Sequence, residues 1–401
     1  MKNLYQTMFD YFKNNPMDWN YYFNELEFPK NINDARNFIT NYFAYGGKGY
    51  LIHDIIQECE VLRINHTLSV FFIGLLIKNS SFHDLKIVDD NKNEIFEFSY
   101  LWFLVSLYHD MGYVQENDWT YKFKYREKSN IFKNNMINSV FKYKFFNYCN
   151  YSMYYDLGIV FSVPSNFRKI HTKTKQHDSY HLNSFEYTDG ITFNNGIKIK
   201  KGMYTKKTIF NYLEYCKVSN INHYDHGIVG GLWLYDSLVK NYYLSYISLN
   251  DKHIDFNDFY VNNLHFSTTQ FPVFAYLADC IISHNMWFAT DNKTIELYKK
   301  CGLEQLISPH VRPIRFDNNP LLFILALADT LEPIKTCSSL DKSTIDILNN
   351  IKCKFSNNQI FLSFENIIMF SKMVEKLKGL SKWLAINVQI YENANKICIT
   401  F

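Results

Sequence analysis

Leu101-Trp102-Phe103-Leu104-Val105-Ser106-Leu107-Tyr108-His109-Asp110-Met111-Gly112-Tyr113 is an apolar run that ends in an adjacent imidazole and carboxylate and then a glycine. A continuous apolar run of this kind reads as a buried helix. Gly112 reads as its left-handed C-cap, which puts His109 and Asp110 in the last turn. An unpaired carboxylate buried there is costly, and a bound cation would remove that cost. A core helix whose polar end meets solvent gives the same pattern. His53-Asp54 repeats the doublet without a following glycine and reads as a decoy. What separates the two doublets is company elsewhere in the chain.

That company is a series of polar residues inside or at the ends of apolar segments. A helical pattern runs from Tyr50 through Ile55, Val61, Val70 and Ile77, and His66 lies within it. A second segment opens with His223-Tyr224-Asp225-His226-Gly227 and continues through Ile228, Val229 and Trp233. A third begins near Pro272 and closes on Ser283-His284-Asn285. The fourth is the most informative. Asn319 as N-cap and Pro320 at the first helical position lead into Leu321 to Ala328, then Asp329-Thr330-Leu331-Glu332. That helix is apolar on every face, so Asp329 needs neutralising or coordinating.

Four imidazoles and two carboxylates, His66, His109, Asp110, His226, His284 and Asp329, can hold two divalent ions if one carboxylate bridges. Asp110 is the natural bridge, because neighbouring residues on a helix end point about 100° apart and His109 is free to serve one ion alone. The set contains no cysteine, which favours Mn, Fe, Mg, Co, Ni or Zn.

With 401 residues and 47% apolar composition, the chain can bury a large core. Its eight cysteines include no Cys-x-x-Cys pair, which suits a reducing compartment and argues against a disulfide framework or a zinc ribbon. The first ten residues lack the apolar core of a signal peptide, and the longest apolar runs, Ser69 to Ile77 and Leu321 to Ala328, fall short of the roughly 20 residues that span a bilayer. A soluble, cytoplasmic protein with no membrane partner is expected.

Charge is uneven along the chain. Between Asp118 and Asn220 there are 17 Lys and Arg against 7 Asp and Glu, a balance of +10 in a chain whose formal net charge is +3. A hairpin is expected at Ile191 to Lys200, turning on Asn195-Gly196. The expected organisation is an N-terminal helical segment (1–50), a helical core (51–117 and 219–336), a basic insertion or lid (118–218) and a small C-terminal α+β appendage (345–401). In that appendage, strands at Ile351 to Phe355 and Gln359 to Phe364 precede a helix and two further strands. The appendage suits dimerisation or covering the core.

The ordered series His66, His109-Asp110-Met111-Gly112, Asp225-His226-Gly227, Ser283-His284-Asn285 and Ala328-Asp329-Thr330-Leu331-Glu332 resembles the HD superfamily of metal-dependent phosphohydrolases. Its wording is most similar to uncharacterised bacterial members, some of them linked to defence systems. The resemblance covers roughly residues 50–117 and 219–335. It implies a mainly α, HD-type helical bundle in which His66, His109, Asp110 and Asp329 hold one metal, and Asp110, His226 and His284 hold the second. It further implies a two-metal phosphodiesterase or phosphatase acting on a nucleotide or cyclic nucleotide by attack of a metal-bridging hydroxide. His223 is the candidate acid for the leaving group. Arg312 and Arg315 are candidates to clamp the phosphate, as are lysines of the insertion. Tyr113 stands where the HD-type cyclic-dinucleotide phosphodiesterases carry lysine, so that branch is not indicated. Two other readings use the same residues: a diiron HD-type oxygenase, and a metal-binding sensor of nucleotides or nucleic acid.

Overall fold

The chain runs from a two-residue strand, β1 (Lys2–Asn3), into α1 (Leu4–Asn14), α2 (Pro16–Trp19), α3 (Ile32–Tyr45) and the long α4 (Val61–Ser81). It is seen in a computed structural model that describes residues 1–19, 26–29, 32–52, 55–57, 59–82, 85–89, 94–113, 191–199, 206–219, 225–249, 254–255, 257–267, 269–308, 310–340 and 342–401. The fold is mainly α, with three antiparallel sheets among the described residues. Local chemistry explains the first helix starts. Asn3 caps α1 by accepting from Gln6 N at 2.7 Å, and Pro16 opens α2, where its missing N–H costs nothing.

Helix α4 begins at Val61, later than its apolar pattern suggests, because Gly49–Leu51 forms a separate 3-10 turn. By length and composition α4 could cross a bilayer, longer than the apolar runs implied, yet 83% of its most apolar window is buried inside the protein. It is a core helix. After it come β2 (Lys86–Val88), β3 (Glu94–Glu97) and α5 (Phe98–Ser106), whose side chains are all buried. The close fit of α4 to α5 depends on Gly74. Trp102 of α5 donates to Phe71 O at 3.0 Å, and a Cβ at Gly74 would stand 1.9 Å from the Trp102 ring. Gly74→Ala should therefore destabilise the protein by about 2 kcal/mol, since overpacking outweighs the gain in helix propensity. Urea unfolding checks this, and a variant as stable as wild type would show that the ring moves aside freely.

The expected hairpin forms as β4 (Ile191–Phe193) and β5 (Lys198–Ile199), with Gly196 at φ +88°. It does not stand alone. β4 pairs with β2, Ile87 facing Phe193, in a sheet of order β3-β2-β4-β5. Phe193 and Ile199 are buried, so this stretch of the basic segment packs on the core. Residues 118–190 of the expected insertion, with most of its lysines, lie outside the described residues, as do His53 and Asp54.

Next come α6 (Lys206–Val218), α7 (His226–Ser248), a hairpin of β6 (Asp258–Val261) and β7 (Leu264–Ser267), α8 (Gln270–Ser283), α9 (Asn292–Lys300), α10 (Pro320–Leu331) and α11 (Pro333–Cys337). Asn319 caps α10 as expected, and Tyr276 of α8 donates to the same Asn319 oxygen at 2.9 Å. One side chain thus fixes both the start of α10 and its distance from α8.

The C-terminal unit holds α12 (Thr344–Asn349), β8 (Ile351–Ser356), β9 (Gln359–Phe364), α13 (Ile367–Leu377), α14 (Leu380–Trp383), β10 (Asn387–Tyr391) and β11 (Lys396–Thr400). Its sheet order is β1-β8-β9-β11-β10, so the first strand of the chain completes it. Trp383 ends α14, and its ring stacks on Trp287 at 4.5 Å, tying this unit to the loop after α8.

Candidate metal centre

Five segments deliver the polar cluster. His66 comes from the first turns of α4, His109 and Asp110 from the turn beyond α5, His226 from the first position of α7, His284 from the C-cap of α8, and Asp329 from the last turn of α10. Helix α5 stops at Ser106, so the doublet lies in the turns that follow and not in the helix itself. Gly112 is absent from the described residues with positive φ and is not a left-handed cap. It is required by proximity: a Cβ there would stand 2.0 Å from the carbonyl oxygen of His226. Small residues on α7 serve the same end, since a Cβ at Gly231 would meet Ala278 O at 2.6 Å.

The side-chain atoms converge. His66 Nε2 stands 2.9 Å from Asp329 Oδ1 and 3.4 Å from Asp110 Oδ2. The other Asp110 oxygen, Oδ1, is 3.3 Å from His109 Nε2 and 3.4 Å from His226 Nε2. Asp110 thus turns one oxygen towards His66 and the other towards His109 and His226. His284 joins through His109 and Asp110, whose ligand atoms lie within 4.8 Å of its own. The His109–His284 and His226–His284 ring centres are 5.2 Å and 5.3 Å apart.

Six of these buried atoms, His66 Nε2, His109 Nε2, both Asp110 oxygens, His226 Nε2 and Asp329 Oδ1, have no hydrogen-bond partner. Leaving so many polar atoms unsatisfied in one buried place would cost several kcal/mol. Ligand atoms about 2.1 Å from a shared ion stand roughly 3.0 Å apart at octahedral angles and 3.4 Å apart at tetrahedral ones. Those are the separations seen here, so the residues fit a metal ion.

The outward nitrogens are fixed instead. His109 Nδ1 bonds Ser106 O at 2.7 Å, and His284 Nδ1 bonds Ile281 O, which directs each Nε2 inward. His66 Nδ1 meets Glu332 Oε2 at 2.6 Å. Glu332 is fully buried and also accepts from Ile334 N and Lys335 N, so its carboxylate is held from both sides. Asp225 accepts from Ile228 N at 3.1 Å and from the Asn285 amide, joining the start of α7 to the residue after His284.

The charge states suit a cation. Burial pulls the His109 imidazole down to about 4, against the upward pull of Asp110, and burial likewise holds His226 well below the usual range. Burial acts to raise Asp110, but His109, Lys335, His66 and His226 hold it below the ordinary carboxylate range. Asp329 is lowered in the same way by His66 and Lys335. At His66 burial is outweighed by Glu332 and Asp110, so that imidazole is raised. Neutral imidazoles at His109 and His226 facing ionised carboxylates are the donor state that metal binding requires, whereas at His66 an ion has to displace a proton.

The remaining candidates are placed elsewhere. His223 lies outside the described residues. Arg312 is exposed, and Arg315 turns to Asp317 at 3.3 Å on the surface. Both precede α10, whereas Asp329 is near its other end, about 15 Å along a helix rising 1.5 Å per residue. No contact joins either arginine to the cluster among the described residues.

Glu332 is the residue that sequence reasoning passed over, although it lies only three positions after Asp329, at the junction of α10 and α11. Glu332→Gln should keep the fold but weaken Mn binding about 10- to 100-fold, because His66 loses the carboxylate that raises its basicity. Titration of the apo-protein with Mn checks this, and unchanged affinity would reduce Glu332 to a cap of α11. Comparisons with family models, with curated proteins and with solved structures found no match.

Proposed function

We propose that the chain is a metal-dependent phosphohydrolase with an HD-type helical core, a two-metal phosphatase or phosphodiesterase acting on a nucleotide. The observation that carries this reading is the set of six partnerless buried atoms converging from separate segments around Asp110. His66, His109, Asp110 and Asp329 would hold one divalent ion, and Asp110, His226 and His284 the other. Such ions supply the charge neutralisation and water activation that phosphoester hydrolysis needs.

The chain's own residues do the rest. Glu332, Ser106 O and Ile281 O hold three imidazoles in the tautomer that faces inward. The two oxygens of Asp110 serve opposite sides of the cluster. Burial of His66, His109 and Asp110 excludes water from the floor, while Asp329, with 19% of its side chain exposed, marks the side from which a substrate reaches them.

The test is to purify the protein, count metals per chain, and assay a panel of phosphomonoesters and phosphodiesters with Mn, and with Fe and oxygen. Metal content with phosphoester cleavage supports the reading. Oxygen consumption without cleavage, or no bound metal, refutes it.

A further inference from the structure

Arg63, Tyr113 and Lys335 form a cationic wall beside the cluster. The Arg63 guanidinium carbon lies 3.7 Å from the Tyr113 ring centre, and the His226 imidazole stacks on the same ring at 3.8 Å and 16°. Groups that close must lie on opposite faces, so Tyr113 is sandwiched between a guanidinium and an imidazole of the cluster. Lys335 Nζ donates to the Tyr113 hydroxyl at 3.3 Å.

Among the described residues neither cation is in a direct ion pair with a carboxylate, and Arg63 Nη1 is buried with no hydrogen-bond partner. An ammonium has three donors, and Lys335 uses one on Tyr113. Burial works against its charge, but the fields of Asp110 and Asp329 sustain it, while the nearby Arg63 opposes it. Two like charges held together, one with a donor facing nothing, are arranged for an anion. Lys335 lies within the field of Asp329, the most exposed of the cluster's carboxylates and imidazoles for which an ion contact is seen, and Arg63 adjoins Lys335 across Tyr113.

We propose that Arg63 and Lys335 clamp the oxygens of a phosphoryl dianion at the mouth of the cluster, so that the substrate is a phosphomonoester or a terminal phosphate rather than a diester. The proposal rests on the phosphohydrolase reading for its substrate class. Asp110, Asp329 and Glu332 offset three of the four charges of a divalent pair, and Arg63 and Lys335 add two more. Of that excess of three, a doubly charged guest offsets two charges and a singly charged diester only one.

The experiment is calorimetric titration of inorganic phosphate, methyl phosphate and dimethyl phosphate into the full-length, Mn-loaded protein. Wild type should bind the first two at least about ten-fold more tightly than dimethyl phosphate. Lys335→Met and Arg63→Gln should each weaken inorganic phosphate about ten-fold or more, with Mn content and melting temperature unchanged, while Lys335→Arg keeps the affinity within about three-fold. Equal affinity for phosphate in wild type and both variants overturns the clamp, as does phosphate binding that disappears only together with Mn, or no phosphate binding by wild type. Equal binding of the monoester and the diester overturns the dianion preference. Should one variant fail to fold, the other decides. Turnover of the same esters is followed in parallel: phosphate binding with the stated variant effects but no turnover rejects the phosphohydrolase reading and leaves the clamp standing.

Discussion

Asp110→Ala should abolish the proposed phosphoester cleavage, by a factor on the order of 10³ or more, and should remove most of the metal that the wild-type protein binds. The reason lies in the two Asp110 oxygens, which face different imidazoles, so a single truncation removes a ligand from both sides of the cluster. No neighbour can replace it: Asp329 reaches His66 and, at 3.9 Å, His109, and Glu332 is committed to His66 Nδ1 and the start of α11. Metal analysis and thermal melting check the prediction without reference to activity. At a Mn concentration about 100 times its Kd, wild type should gain about 2.7 kcal/mol of stability, and Asp110→Ala should gain less than about 1 kcal/mol. Asp110→Asn separates charge from shape, since it keeps the volume and one acceptor but loses the negative field. A variant that kept the full metal stabilisation would refute the bridging role.

Legibility in the sequence followed how locally each feature is specified. Asn319-Pro320 and Asn195-Gly196 act through their own backbones, and both were readable as a helix start and a turn. The six cluster residues were readable because imidazoles and carboxylates in apolar surroundings have few structural uses. β1 was not, since two residues carry no pattern and Lys2 enters the sheet by pairing with Cys353, far along the chain. The β6–β7 hairpin carried a usable signal that was passed over: Asn262 and Asn263 both take positive φ, as a tight two-residue turn demands. Arg63 sits one helical turn before His66, but nothing nearby announces that Tyr113 and Lys335 will face it. Arg312 and Arg315 looked equivalent in composition, and the length of α10 takes them away from the site.

Gly112 carries the second large expected effect, and its reason is a tertiary one. A methyl group there would meet the His226 carbonyl oxygen at 2.0 Å, and both Gly230 N and the His226 carbonyl carbon at 2.8 Å. These are backbone atoms, which cannot swing aside as a flexible side chain does, so the start of α7 must retreat from the turn that carries His109 and Asp110. His226 would move with it and lose its approach to Asp110 Oδ1. Gly112→Ala should therefore cost about 3 kcal/mol in urea unfolding and empty the part of the site that His226 serves, leaving the His66, His109 and Asp329 side less affected. Gly230→Ala is the control, being on the other side of the same contact. Its added methyl meets nothing closer than 3.4 Å, an ordinary packing distance, and alanine is the better helix former, so its stability should stay within about 1 kcal/mol of wild type. If the two variants behaved alike, the approach of α7 to the His109-Asp110 turn would not be what sets the metal centre. If only Gly112→Ala lost metal, the glycine after the doublet would be explained by the space that His226 needs, and the handedness of a helix cap would have no part in it.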